Sequence, residues 1–243
     1  MTEDALAELA PTGVLRAAIN MGNPLLVTGR DSAGDPEGVA ADMAREIANR
    51  LGVGVTFVPF KSPGELADAA GDNVWDIGLI GAEPSRAKTI AFSNAYVEID
   101  ATYLVPAGSP FTSVEDVDRD GVRIAVSGRS AYDLYLTRSL KHAELVRVTG
   151  IDASFDMFVS DKLDALAGLR PALNAAAPKL AGSRVMDGKY TTVQQAIGCK
   201  LGNDAAAAHL FAFVEDAKAS GLVAELIERH GVVGRLSVAS LAE

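Results

Sequence analysis

The chain is short of every residue type that staples or metallates a small domain. One cysteine, Cys199, excludes an internal disulfide, and three histidines (His142, His209, His230) leave no Cys/His set of the kind that holds structural zinc. No metal and no cofactor are expected. Clustered Lys and Arg are also absent. A net charge of -10, spread over 243 residues without a basic patch, speaks against a protein that tracks nucleic-acid phosphates, whose affinity rests on such clusters. Long hydrophobic runs are missing too. No stretch approaches the ~20 apolar residues that span a bilayer, so the chain is not expected to be membrane-embedded. The first residues, MTEDALAELAPTG, carry three acids before the first proline and no basic segment followed by an apolar one, so no secretory signal is visible. Either a signal has already been removed or the protein is cytoplasmic.

What is present is a well-mixed soluble composition, 49% hydrophobic and 22% charged, in a length suited to one large or two modest domains. Apolar strands alternate with amphipathic helices nearly throughout, the pattern of an α/β protein with largely parallel sheets. Residues 15–19 read as a strand. From Gly38 to Leu51, Val39, Met43 and Ile47 recur at helical spacing, and Gly52 stands where a left-handed C-terminal cap is needed. Strands are expected at 55–60 and 76–80, around a short helix opened by Pro63. An extended segment at 101–105 is punctuated by Pro106, Gly108 and Pro110, which suggests a connection leaving one lobe. The alternation then repeats, with strands at 123–126, 145–148 and 164–169 and helices at 130–140 and 153–160. A strand at 193–199 returns the chain, and helices at 205–220 and 222–230, broken at Gly221, close it.

Chemistry concentrates in DIGLIGAEPSRAKTIAFSNAY, residues 76–96, where an apolar strand runs into a single arginine, Arg86. Read alone, Arg86 is either a solvated turn residue or a cation presented at the end of a buried strand. No Ser-His-Asp constellation, phosphate loop or Rossmann fingerprint accompanies it; GVGV at 52–55 precedes a strand, not the helix such a fingerprint requires. No catalytic residue is assigned. Trp75, Phe60, Phe92, Phe155 and Phe158 read as core, and the three histidines as solvated or capping residues at helical or helix-end positions.

Six strings in order, LRAAINMGNP, GVAADMAREIANRLGVGVTFVPF, DIGLIGAEPSR with IAFSNAY, RIAVSGRSAYDLYL, DALAGLRPAL and AFVEDAKASGLVAELIERHG, resemble the bacterial family 3 solute-binding proteins. These are periplasmic receptors of polar amino acid ABC transporters, and the resemblance covers nearly the whole chain. It implies a two-lobed type II periplasmic-binding-protein fold. Lobe 1 would hold residues 1–101 and 197–243 and lobe 2 residues 102–196, joined by two hinge strands, with a ligand cleft that closes by hinge motion. It further implies a non-catalytic receptor for a small carboxylate-bearing ligand. Its partner is an ABC transporter permease, its location the periplasm, and its expected state a monomer.

By position, the resemblance makes Arg86 the bidentate partner of the ligand carboxylate, a task suited to a planar guanidinium. Gly81 and Glu83 lie on the same strand-end segment. In the second lobe Ser127, Gly128, Arg129 and Ser130 match the family element where a hydroxyl and helix N-terminal amides meet that carboxylate. Ser130 is also the expected N-cap, with Asp133 completing a capping box. Three departures stand out. Leu169 occupies the place of the family aspartate that holds the ligand's α-ammonium, and a buried ammonium facing leucine would go unpaired. Asn23 replaces the first-lobe aromatic, and Arg129 replaces a small hydroxyl residue; turned inward, it would favour a ligand of more negative charge, such as a dicarboxylate or oxo-acid. Finally, the segment from Asp76 to Arg86 is two residues shorter than the family pattern. Glu83 beside that gap is either a solvated turn residue or a carboxylate that pairs Arg86 or accepts an amine. Two other functions stay open: an enzyme resembling the cyclohexadienyl dehydratases, which act on the dicarboxylate prephenate, and a cytoplasmic metabolite-sensing module.

Overall fold

A computed structural model describes residues 2–242 and divides into two compact α/β units, Met1–Glu98 with Gln194–Glu243, and Ile99–Val193. The elements in chain order are α1 (Glu3–Leu9), β1 (Val14–Asn20), β2 (Gly29–Arg30), β3 (Pro36–Glu37), α2 (Val39–Leu51), β4 (Gly54–Phe60), α3 (Pro63–Asp68), β5 (Ile77–Gly81) and β6 (Ile90–Val105). They continue with β7 (Arg123–Ser127), α4 (Ala131–Ser139), β8 (Glu144–Val148), α5 (Ile151–Ser160), β9 (Ala165–Leu169), α6 (Arg170–Ala176) and β10 (Arg184–Val185). The last are β11 (Thr191–Lys200), α7 (Asp204–Ala219), α8 (Leu222–Arg229) and β12 (Ser237–Val238). The chain passes between the units twice, once within β6 and once at β11.

In the first unit β1 pairs in parallel with β4 on one side and β5 on the other, and β11 runs antiparallel to β5, with Gln195 opposite Gly81 and Cys199 opposite Ile77. β5 is buried at all five positions, which is why IGLIG reads as an unbroken apolar run and not as an alternation. α2 lays Val39, Met43 and Ile47 onto this sheet with no exposed surface, each such side chain worth about 1.5–3 kcal/mol of burial. Gly52 ends α2 at φ 70°, its N–H bonded to the Asn49 carbonyl. Ser62 caps α3 by accepting from the Glu65 N–H, and Pro63 fills its first turn. Trp75, Leu66 and Ile80 form the core on that face, with Phe60 and Phe92 packed against it.

The second unit repeats the plan. β7 pairs in parallel with β8 and with β9, and β9 runs antiparallel to the end of β6, with Leu169 opposite Ala101. Leu104, Ala125, Phe158, Leu163, Leu166 and Leu173 make its core, with Phe155 packed against it. In both units the first strand is central, and the chain visits one neighbour before crossing to the other.

Several elements differ from the expectation. β6 is a 16-residue strand beginning at Ile90, where only its last five residues were expected as extended apolar chain. Its earlier part interrupts apolar residues with Ser93, Asn94 and Glu98 and so hides its length. α1 and α6 were not expected. Thr2 caps α1 by accepting from the Ala5 N–H, and α6 follows β9 without a loop because Pro171 fits its first turn. His142 lies beyond the end of α4, in the bend before β8, where its backbone N–H donates to Asp118. No helix among the described residues is long and apolar enough to cross a membrane.

Candidate functional site

In an open parallel sheet, ligands collect outside the carboxyl ends of the strands, at the point where successive crossovers go opposite ways. In the first unit that point lies between β1 and β5, and in the second between β7 and β9. The candidate residues fall at these strand ends: Asn23 after β1, Gly81 and Arg86 at and after β5, Ser127 to Ser130 at and after β7, and Leu169 at the end of β9.

Gly81 ends β5, and the Glu83 carbonyl then accepts from the N–H groups of Arg86 and Ala87, winding the chain into a 3₁₀ turn at Arg86–Lys88. This turn brings Arg86 back to the end of the strand. Its side chain is buried, and Nη1 donates to the Gly81 carbonyl at 2.6 Å, a contact that orients the guanidinium plane. A cation held this far from water requires anionic or carbonyl partners, which favours the strand-end reading over a solvated turn. Glu83 is half-buried on the same turn. Asn23 is buried as well, but its Oδ1 accepts from the Leu25 N–H and its carbonyl from Leu26 and Val27, so it organises the loop after β1.

The second unit presents a denser polar cluster. The Ser127 hydroxyl accepts from the Gly150 N–H at 3.3 Å, and the Gly128 N–H donates to the Val148 carbonyl. Ser130 caps α4, its hydroxyl accepting from the Asp133 N–H at 3.1 Å. The capping box is incomplete. Asp133 Oδ2 accepts from the Arg129 N–H at 2.6 Å, one residue earlier than a reciprocal cap requires, while the Ser130 N–H goes to the Ser127 carbonyl. That bond helps hold Arg129 at φ 62°, a left-handed conformation uncommon away from glycine and frequent at functional turns. The Arg129 side chain is exposed. Asp133 is buried and pairs through Oδ1 with Arg147 Nε at 2.9 Å, so its carboxylate is fully engaged as an acceptor. Leu169 is buried and apolar.

Sequence spacing gave no reason to single out Tyr132 or Arg147. Tyr132 sits buried in the first turn of α4, and burial pushes its phenol up to about 12. Among the described residues no group of three or more His, Cys, Asp or Glu side chains could hold a metal ion.

Residues 15–233 match the model of the bacterial extracellular solute-binding proteins, family 3. The chain belongs to that family. Among curated proteins, a cyclohexadienyl dehydratase of Pseudomonas aeruginosa is 27% identical over 191 residues, covering 73% of this chain and 70% of the relative. Among solved structures, a solute receptor for L-cysteine of Neisseria gonorrhoeae superposes with a TM-score of 0.79 at 19% identity, covering 97% of this chain and 99% of that one. An amino acid ABC transporter substrate-binding protein of Streptococcus pneumoniae bound to L-arginine gives 0.75 at 19%, covering 97% and 99%. An ancestral amino acid-binding protein, a precursor of cyclohexadienyl dehydratase, gives 0.75 at 23%, covering 92% and 97%. At these identities the structural likeness is one of fold, the type II periplasmic-binding-protein fold.

Proposed function

We propose that the protein is a non-catalytic receptor for a small carboxylate, serving an ABC transporter permease from the periplasm. The observation that carries this is Arg86, a buried guanidinium oriented by Gly81 at the carboxyl end of β5. The second unit supports it with Ser130 at the start of α4, where a hydroxyl and helix-start amides favour an anion. A ligand that engages both sets of groups would favour one arrangement of the two units through its differential contacts, which is closure by hinge motion. Apolar Leu169 argues for a carboxylate lacking an α-amine, a dicarboxylate or oxo-acid in preference to an ordinary amino acid.

A thermal-shift screen across organic acids, amino acids and amines tests the ligand class, and a clear preference for standard amino acids contradicts the reading of Leu169. Calorimetry on Arg86→Ala tests the anchor. Loss of a bidentate charge-assisted pair should weaken a carboxylate by at least about 100-fold, and retained affinity sinks the assignment.

The likeness to the Pseudomonas dehydratase favours a second reading, an enzyme on this fold. Such chemistry needs a positioned proton donor. Leu169 removes an acid from the end of β9, Asp133 is tied to Arg147, and Asp100 pairs with Lys189 at 2.8 Å and bonds Thr192. Glu83 is the remaining candidate. Turnover of prephenate by the purified protein would establish this reading in place of the first, while tight binding without turnover ends it.

A further inference from the structure

Gln195 opens the buried stretch Gln195–Cys199 of β11 and is itself only 5% exposed. Its side-chain amide makes no hydrogen bond among the described residues. Buried amides are nearly always paired, so an unpaired one calls for a partner from outside the fold. Trp75, Tyr96, Tyr190 and His209 also carry an unpaired polar atom, but each of those atoms is sealed from solvent; the Gln195 amide is not, and keeps an opening at its tip.

The register says where that tip lies. Gln195 is opposite Gly81, Ile197 opposite Leu79 and Cys199 opposite Ile77, so the three share a face, with the glutamine at the carboxyl end of β5. The Ala82 N–H donates to the Gln194 carbonyl at 2.7 Å, which makes 82 and 194 the hydrogen-bonded pair. Residues 81 and 195 are then the close, unbonded pair, with Cα atoms ~4.5 Å apart. The Gly81 carbonyl therefore points away from β11, and on that side it accepts from Arg86 Nη1 at 2.6 Å. Amide and guanidinium flank one glycine, which has no side chain to keep them from a shared ligand, and all three residues lie in the first unit.

We propose that Gln195 is a ligand-binding residue that reads the atom next to the carboxylate, so that the protein takes 2-oxo- or 2-hydroxycarboxylates. This rests on the reading of Arg86 as the carboxylate anchor. An oxygen on C2, carbonyl or hydroxyl, is satisfied by one hydrogen from the amide nitrogen. An α-ammonium there would bring three hydrogens and a positive charge to one neutral carbonyl beside a guanidinium. A carboxylate with only hydrogens on C2 leaves the amide unpaired, and a site built to bond a polar group rejects the analogue that lacks it.

The test is calorimetry with carboxylates that differ only at C2: pyruvate and propionate, 2-oxoglutarate and glutarate, malate and succinate. Parent protein should favour the oxygenated member of the pair it binds by at least about tenfold. Gln195→Met keeps the length of the side chain without its amide; it should weaken that member by about tenfold or more and leave the other within about threefold. A pair bound equally by parent protein, or a preference that survives Gln195→Met, overturns the proposal. If no member of any pair binds parent protein, or if binding survives Arg86→Ala, the carboxylate reading itself fails and the proposal with it. A second measurement needs no ligand. An amide that serves a ligand and not the fold costs nothing to remove, so the thermal transition of Gln195→Met should stay level or rise. A fall of more than about 2 °C would mark the amide as a contact of the fold and overturn the proposal.

Discussion

Substituting Gly38 by alanine should unfold the first unit at a markedly lower temperature, because the backbone there admits no side chain. Gly38 precedes α2 at φ 140° and ψ 176°, a region essentially confined to glycine, and forcing an L-residue into it costs on the order of 1–3 kcal/mol. A Cβ at this position would lie 2.2 Å from the Leu26 carbonyl oxygen and 2.9 Å from Val27 Cα. Both are backbone atoms, so no rotamer relieves the overlap. The Leu26 carbonyl also accepts from the Ala40 N–H at 3.1 Å, and displacing it forfeits about a further 0.5–1.5 kcal/mol. The sum, about 1.5–4.5 kcal/mol, corresponds to a fall of roughly 3–18 °C for a chain of this size. Trp75, the only tryptophan, is buried in the core of the same unit, so its fluorescence reports this unfolding directly. Gly34→Ala is the control, since Gly34 has φ 88° but nothing within 4 Å of a Cβ. A fall no larger than that of Gly34→Ala would refute the argument from the Leu26 contact. Because Leu26 and Val27 bond back to Asn23, Gly38→Ala should also loosen the loop after β1.

Asp76→Ala removes a buried carboxylate that accepts from Arg16 three times, at the backbone N–H (2.8 Å), Nε (3.0 Å) and Nη2 (2.6 Å). Arg16 keeps some solvent and the Asn73 carbonyl, so the loss should fall near the low end of the range for a broken buried pair, about 3 kcal/mol, read as a fall of roughly 6–12 °C in the Trp75 transition. A change under about 2 °C would contradict it. Glu215 contributes to acid sensitivity, beside Asp42, Asp116 and Asp118, which are also held below their ordinary values. The hydrogen bond from Lys218 outweighs burial and, with the Ala242 N–H and Asn94, holds its carboxyl down to about 2, below its ordinary value of 4.5. A carboxyl depressed on folding contributes stability that is complete above about pH 4.5 and lost as pH falls toward about 2. Glu215→Gln should therefore lose less stability than parent protein across that window in chemical denaturation, and equal losses would rule the carboxyl out.

Much of this was legible in the residues. Parallel strands with buried faces announce themselves as short apolar runs, and α2 carried its stripe and its cap in plain view. The halves of β6 were unequally legible because Ala101 to Val105 is fully buried and interrupted only by Thr102, while the stretch from Ile90 mixes Ser93, Asn94, Glu98 and Asp100 among its apolar residues. α1 had a readable start in Thr2 followed by two acids, but its five remaining residues are too few to show a period. At the candidate site, Arg86 and Ser130 stood out because charge and capping are local properties. The contacts of Arg147 with Asp133 and of Gly150 with Ser127 depend on how α4, β7, β8 and the loop after β8 pack, and no spacing encodes them.

The double passage of the chain through β6 and β11 has a consequence for synthesis. The second unit is continuous and is complete when residue 193 has emerged, whereas the first must wait for its final fifty residues. Until Gln195–Cys199 arrives, β5 has β1 on one side and no antiparallel neighbour on the other. A nascent chain therefore carries a fully apolar strand with an open edge, the kind that recruits other chains. The interval between residues 81 and 195 is one during which a growing chain of this design would benefit from a chaperone, and a chain truncated within it should aggregate where the complete protein does not.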